Sequence, residues 1–372
     1  MRIGYDAKRA FNNHRGLGNY SRETLRILAS HFPDLQLDLF TPKIDSSIRF
    51  DRPQNANIIQ PKRHFMTSLW RTFGITKEVE RRHLDLYHGL SHELPVGIEK
   101  TCIPTVVTMH DLIFIRHPEL YPFIDRTFYK TKYLRSCRVA DRIIAVSQQT
   151  KNDLIELANI REEKISVVYQ GCHPLFCNHL SESQKEIVKN KYHLPDTFLL
   201  NVGAIEPRKN QLLILKALKD KALDIPLVIA GRKTAYITEL QQFITRNQLE
   251  KQVFILPNVD FDDLPALYQS AFLFIYPSQY EGFGIPVVEA LQSCVPVIAA
   301  KGSCLEESGG PGSCYVSPDD ADELAEQITT ILQNNELRSS MIVQGKTYAS
   351  QFSDKSIANH LMQIYTELTG LK

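Results

Sequence analysis

The sequence predicts an α/β protein built from two doubly wound parallel sheets. Short apolar runs alternate with helix-patterned stretches along most of the chain, the signature of parallel sheets covered on both faces. The alternation breaks near Gly171–Ser181, where Gly171, His173 and Pro174 interrupt it, and restarts at Thr197. Two such runs mean two units. A chain of 372 residues, 43% hydrophobic and 23% charged, suits two soluble cores. The expected units are 1–172 and 173–353, with the final stretch, 354–372, free to pack back on the first.

In the first half, the strands are expected at Arg2–Asp6, Leu35–Phe40, Asp85–His88, Thr105–Met109, Arg142–Val146 and Ile165–Tyr169. No long apolar core follows the charge at Arg2, so the start reads as a strand and not as a signal peptide. Helical patterns fall at Asn19–His31, Met66–Arg82, Pro122–Val139 and Gln148–Leu157, the last with Ser147 as its cap. In the second half, strands are expected at Thr197–Gly203, Pro226–Ala230, Val253–Leu256, Phe272–Tyr276 and Val295–Ala299. Helices are expected at Asn210–Asp220, Ala235–Asn247, Leu264–Ser270 and Pro286–Ser293. Ser353-Asp354 reads as the cap of a final helix. Ligands of such sheets gather at the strand carboxyl ends, so the residues there carry the functional reading.

The most informative stretch follows the apolar run Ala271–Pro277. Glu281 to Glu289 reads E-G-F-G-I-P-V-V-E. Gly282 and Gly284, with Phe283 between them, let backbone approach a ligand closely, and Pro286 suits the start of a helix. Free amides and the helix dipole there favour an anionic group such as a phosphate. Glu281 and Glu289 cannot bind that anion. They suit hydroxyl groups instead, a sugar at one end and a ribose at the other. The alternative, a plain link with two solvated glutamates, leaves the order of glycines and proline unexplained.

Thr197–Gln211 reads T-F-L-L-N-V-G-A-I-E-P-R-K-N-Q. The strand ends at Gly203, and Arg208 and Lys209 then precede an apolar helix. Arg can clamp a phosphate bidentately and Lys adds a point charge. Two merely exposed cations there would oppose the helix dipole. Gly16-Leu17-Gly18-Asn19-Tyr20 opens the first long helix. It lacks the third glycine of a dinucleotide fingerprint, so NAD is not expected. His110 and Asp111 follow the buried strand Thr105–Met109. A ligand-facing histidine and a core histidine satisfied by backbone both fit. His88 ends another strand.

Other signals are weaker. Asp260-Phe261-Asp262 has a metal-like D-x-D spacing but leads straight into a helix, so a cap is expected and no metal. Cys172, His173, Cys177 and His179 match no common zinc spacing. His64–Phe73 mixes aromatics with cations. It suits a membrane interface, a lipid-linked acceptor or an ordinary amphipathic helix facing the acceptor.

Glu281–Glu289 resembles the E-x7-E motif of retaining glycosyltransferases, family 4 especially. Thr197–Gln211 resembles that family's donor-diphosphate segment, and Gly16–Tyr20 its N-terminal glycine loop. His110 stands where the family has a histidine against the donor sugar. The chain is therefore similar, over nearly its whole length, to family 4 enzymes of the GT-B fold, whose two Rossmann-like domains face a central cleft. Gly16–Tyr20, together with His110-Asp111-Leu112 and Arg116-His117-Pro118-Glu119, looks like the mannosyltransferase-type branch. The chain departs from the family at Leu305-Glu306, where Pro-Glu is usual, and at Gln170 and His173.

The resemblance implies transfer of a hexose, with GDP-mannose favoured, from a nucleotide-diphosphate sugar to a glycan or lipid-linked acceptor in surface polysaccharide synthesis. Configuration would be retained, and the nucleotide sugar would be co-substrate with no separate cofactor. The implied catalytic residues are His110, Arg208, Lys209 and Glu281. Gly16, Gly18, Gly203, Gly282, Phe283, Gly284 and Glu289 would bind the donor. The second unit would hold the donor and the first the acceptor. A nucleotide-sugar 2-epimerase shares the fold, and a non-catalytic sugar-binding subunit is the rival of another class. A glycan phosphorylase would need a longer chain.

Composition narrows the setting. Seven scattered cysteines, an odd number, favour reduced thiols and a cytoplasmic place. No uninterrupted apolar run reaches the ~18 residues of a membrane span. Residues 1–170 hold 26 Lys+Arg against 19 Asp+Glu, a net +7, and the remainder is net −6. That split fits a phosphate-bearing acceptor, a peripheral contact with an anionic membrane, or a solvated imbalance. Nucleic acid is not an expected partner.

Overall fold

The computed structural model describes residues 1–14, 16–61 and 69–371. The chain divides into two compact units, Met1–Gly171 with Ser353–Lys372, and Cys172–Phe352. Each is a parallel sheet wrapped by helices.

The first unit has seven strands: β1 (Arg2–Asp6), β2 (Gln36–Phe40), β3 (Ala56–Ile59), β4 (Leu86–Gly89), β5 (Thr105–Met109), β6 (Arg142–Ala145) and β7 (Ile165–Val167). Their order is β3-β2-β1-β4-β5-β6-β7. Every pair is parallel, with β1 between β2 and β4 (Ile3 against Leu37 and Leu86). The central strands are apolar on both faces because helices cover both. The edge strand β3 was not expected from the sequence. It is short and carries Asn57, whose amide donates to the buried Asp38 Oδ1 at 3.2 Å.

The second unit has six strands: β8 (Leu199–Val202), β9 (Leu227–Ala230), β10 (Val253–Leu256), β11 (Leu273–Tyr276), β12 (Val297–Ala300) and β13 (Cys314–Val316). They run in the order β10-β9-β8-β11-β12-β13, all parallel. The three-residue edge strand β13 also escaped the sequence reading. So did the helices Glu182–Tyr192, Ala321–Gln333 and Asn335–Ala349, although each has a side-chain cap. Ser181 forms a capping box with Gln184, Asp320 accepts from Glu323 N, and Asn334 accepts from Leu337 N.

The last helix, Asp354–Thr369, buries Ile357, Leu361, Ile364 and Tyr365 in the core that holds Ile3, Tyr5 and Leu25 of the first unit. The Ser353 side chain does not cap it. Asp354 pairs with Arg26 at 2.7 Å instead. Of the aromatic and basic segment His64–Phe73, residues 64–68 lie outside the described residues. Trp70–Gly74 forms a π turn leading into the helix Ile75–Arg81, with Leu69 and Phe73 exposed. No helix among the described residues is long and apolar enough to cross a membrane.

Candidate active site

β8 and β11 are neighbours, Leu199 opposite Leu273, so the loops after them leave the second sheet side by side. Backbone bonds stitch these loops together. Gln279 N donates to Arg208 O at 2.9 Å, and Ser278 Oγ lies 3.1 Å from the same carbonyl. Asn210, in the left-handed region at φ 59°, ties the first loop down through Pro277 O and Pro318 O. Arg208 and Lys209 are thereby held on the single turn Pro207–Lys209, facing the second loop.

Glu281 is where the two loops meet chemically. Its Oε1 accepts from Ser278 Oγ at 2.6 Å and Tyr276 Oη at 3.2 Å, and pairs with Arg208 Nη1 at 3.0 Å and with Lys209 Nζ. Its Oε2 accepts from none of the described residues, and 12% of the side chain stays exposed. Burial pushes this carboxyl up, but the Lys209 and Arg208 charges outweigh burial and hold it down at about 2. Burial lowers the Lys209 ammonium while Glu281 resists. Burial also opposes the Arg208 charge, yet Glu281 and Glu206 hold its proton more tightly than usual. The cluster is thus an ionised, hydrogen-bonded group with one carboxylate oxygen left over.

The glycine loop continues from Glu281. Gly284 has φ 107° and caps the helix Ile285–Gln292. A Cβ there would lie 2.6 Å from Leu305 Cδ2 and 2.8 Å from Ser308 Oγ. Leu305, one of the departures from the family pattern, therefore packs directly on the loop. Cys304 Sγ donates to Glu281 O at 3.1 Å. The Phe283 side chain is buried edge-on against Phe352. Glu289 lies one turn into the helix, half-buried, with Oε2 accepting from Tyr268 Oη at 2.9 Å. Burial raises this carboxyl to about 7. Gly203 ends β8 in a close approach, since a Cβ on Gly231 would fall 1.7 Å from Gly203 O.

The sequence reading missed Tyr276, Ser278, Tyr268, Glu206 and Gly231. Their signal was positional. Tyr276 closes β11 and Gly231 follows β9, both at strand carboxyl ends.

In the first unit, His110 is 6% exposed. Its Nε2 lies 2.9 Å from Leu90 O, which makes it the protonated nitrogen, and Nδ1 lies 3.4 Å from Gln170 Nε2. Burial lowers it to about 3, so it is neutral at ordinary pH. Gln170, another departure, is therefore a partner of His110. Tyr20 packs edge-on against His110, with ring centroids 4.5 Å apart. Gly18 is buried where a Cβ would sit 1.8 Å from Asn13 O, while Gly16 is exposed with nothing within 4 Å of a Cβ. Gly18 is therefore required by packing, with or without a ligand. His88 is sealed between Tyr365 Oη at 2.7 Å and Thr108 Oγ1 at 2.8 Å.

The remaining signals resolve locally. Ser147 caps its helix by accepting from Thr150 N. Arg116 pairs with Asp153 and with Glu156. The cap expected at Asp260 and Asp262 is not the arrangement formed. Asp260 and Asp263 instead each take Lys191 Nζ at 2.6 Å, because that cation lies between them. His173 caps the turn Pro174–Cys177. Among the described residues no three His, Cys, Asp or Glu side chains come together as a metal site.

Two family models match the chain. "Glycosyltransferase Family 4" covers residues 15–174 and "Glycosyl transferases group 1" covers residues 182–348. The O-antigen chain mannosyltransferase B of Escherichia coli is 31% identical over 288 residues, 75% of this chain and 74% of that protein. The O-antigen chain mannosyltransferase RfbU of Salmonella typhimurium is 31% identical over 244 residues, 65% of this chain and 63% of that protein. Among solved structures, a sucrose-phosphate synthase from Thermosynechococcus elongatus superposes with TM-score 0.81 at 19% identity over all of both chains. Anabaena Alr3699/HepE in complex with UDP and glucose gives TM-score 0.77 at 21% identity over 99% of each chain. At those identities the structural likeness speaks for the fold.

Proposed function

We propose, from the premise that this chain belongs to the family 4 glycosyltransferases of the GT-B fold, that it moves a hexose from a nucleotide-diphosphate sugar to a glycan or lipid-linked acceptor in surface polysaccharide synthesis. GDP-mannose is the favoured donor. The names of the O-antigen mannosyltransferases to which it is 31% identical support the sugar and the setting.

The observation that carries the mechanism is Glu281, with Oε1 taken by Arg208 and Lys209 and Oε2 accepting from none of the described residues. A diphosphate leaving group develops charge as the glycosidic bond breaks. Arg208, Lys209 and the backbone amides at Gly282 and Gly284 are the groups suited to receive it. Gly203 lets the backbone end β8 beside this cluster. Glu281 Oε2 accepts from a hydroxyl of the donor sugar, and Glu289 accepts from the ribose. His110, neutral and held by Leu90 O and Gln170, orients the sugar without exchanging a proton, and Gly16 and Gly18 bring the first unit's loop amides to the substrates. The acceptor hydroxyl attacks from the face the diphosphate vacates and gives its proton to the departing phosphate oxygen, so configuration is retained.

Peripheral membrane contact belongs to the same reading. The helix Phe123–Val139 leaves Phe123, Ile124 and Phe128 exposed, with Arg126 over the Phe123 ring and Lys132 over the Phe128 ring. Apolar tips among cations suit an anionic lipid surface.

A thermal-shift screen of nucleotide sugars, followed by transfer to a lipid-linked oligosaccharide, tests the reaction. GDP-mannose should raise the transition most, since a bound donor stabilises by mass action. Failure of every nucleotide sugar to shift it would sink the proposal. Free sugar inverted at C2 without acceptor would favour the epimerase.

A further inference from the structure

Buried donors with no partner among the described residues gather at the carboxyl ends of β1 and β4 in the first unit. Tyr87 Oη, His92 Nδ1, Arg9 Nε and Arg71 Nε are all buried, and each lacks a hydrogen-bond partner among the described residues. His92 Nε2 accepts from His110 N at 3.1 Å, so Nδ1 carries the hydrogen and is a donor. The ring is fixed by stacking on Tyr133 at 4.5 Å, and the His92 backbone sits in the left-handed region at φ 64°. Leaving such groups unsatisfied is costly, so their grouping asks for an acceptor-rich ligand.

The charges say which kind. Lys8 and Arg9 follow β1 directly and form no ion pair with any described residue. Arg71 pairs with Asp6 at 2.8 Å and Glu93 at 3.0 Å, and Lys132 reaches Glu93 at 3.4 Å. Four cations thus face two carboxylates. Burial and then the neighbouring Arg71 and Arg9 charges lower the Lys8 ammonium, while Asp6 and Glu93 resist. Beside them a cavity of about 50 Å³ is lined by Asp6, Arg71, Tyr87, Glu93 and Lys132.

We propose that Lys8, Arg9, Arg71, His92 and Tyr87 form an anion site that holds a phosphate group of the acceptor. The assignment to the acceptor rests on the transferase reading above. The anion site itself does not, and direct binding tests it separately. The phosphate could belong to a lipid headgroup or to a soluble glycosyl phosphate, which present the same oxygens.

Calorimetry on the full chain, saturated with nucleoside diphosphate, would measure binding of inorganic pyrophosphate. The expected result is a second saturable event, weakened roughly tenfold to a hundredfold in Arg9→Gln and in Lys8→Gln and partly restored in Arg9→Lys, as losing one bond to a charged group implies. Affinity for nucleoside diphosphate should be unchanged in these variants, whereas Arg208→Ala should lose it; a failure of the donor reading would show there alone. Melting curves would identify any variant that does not fold, and having two separate variants keeps the test open if one fails. Flotation with phosphatidylcholine vesicles, with and without polyisoprenyl phosphate, separates the sources. Binding that needs the polyisoprenyl phosphate and Arg9 marks the lipid headgroup, and binding of pyrophosphate alone marks a soluble phosphate. No pyrophosphate binding beside saturating nucleotide, or equal binding in the wild type and both Gln variants, would overturn the site.

Discussion

Glu281 commits Oε1 to four protein donors and gives Oε2 none among the described residues, and the consequences differ for activity and for stability. Arg208→Ala or Lys209→Ala should lower turnover by about 10²–10³, the usual loss when one donor to developing charge is removed, or roughly 2.7–4 kcal/mol. Near-wild-type kcat in both would refute the clamp. The carboxyl sits near 2 in the folded chain, below its ordinary 4.5. Its share of stability is therefore present above pH 4.5 and is lost as pH falls toward 2. Glu281→Gln should flatten melting temperature over that acid window, and an unchanged acid slope would refute the pairing. Glu289 has the opposite sign. Burial raises it to about 7 from 4.5, so its favourable share is present below 4.5 and fades as pH rises through 7. Hydroxyls of a ribose would favour the ionised form. Nucleoside diphosphate should then bind more tightly as pH rises toward 7 and level off above, with proton release seen by calorimetry in buffers of different ionisation enthalpy. Glu289→Gln should abolish that release. The sequence marked Arg208, Lys209 and Glu281, which the fold brings into contact, and Glu289, which it pairs with Tyr268. It could not reveal that Oε1 of Glu281 is fully engaged, because Tyr276 and Ser278 are ordinary letters until β11 and its loop place them.

At the scale of elements, the strands whose side chains face two covered surfaces were readable, since burial on both faces writes a continuous apolar run. β3 and β13 were not. They are edge strands of four and three residues, and their half-exposed faces admit Asn57 and Tyr315. The helix Gly16–His31 separates packing from function within one loop. Gly18→Ala would drive a methyl into the Asn13 carbonyl, and overpacking of this kind costs about 1–3 kcal/mol. Gly16→Ala meets nothing and should leave stability within about 0.5 kcal/mol of wild type. If Gly16 amides serve a substrate, its Ala variant should lose activity without losing stability. Denaturation midpoints and kcat/KM together decide, and a destabilised Gly16→Ala with normal kinetics would assign that glycine to structure alone.

At the scale of the molecule, the chain finishes the first unit with its last helix. Ile357, Leu361, Ile364 and Tyr365 enter a core begun by β1, more than three hundred residues earlier. Four such side chains bury roughly 1.5–3 kcal/mol each, together on the order of 6–12 kcal/mol, which matches the whole stability of a typical domain. Tyr365 also supplies the partner of His88 Nδ1, whose ring burial holds neutral at about 3. Tyr365→Phe removes that partner and should cost about 1–3 kcal/mol. Deleting residues 354–372 should unfold the first unit outright. The second unit, Cys172–Phe352, has its own core of Leu199, Leu227, Leu273, Ile298 and Leu324 and contains Arg208, Lys209, Glu281 and Glu289. It should therefore keep its fold and its affinity for nucleoside diphosphate while transfer activity disappears. Hydrogen exchange would show this directly, with nucleotide-dependent protection persisting after β8 and β11 while amides of β1 and β4 exchange freely. Retention of both folded units after the deletion would mean that the final helix adds little to the first core. Loss of nucleotide binding with the second unit still folded would move the donor site away from Glu281.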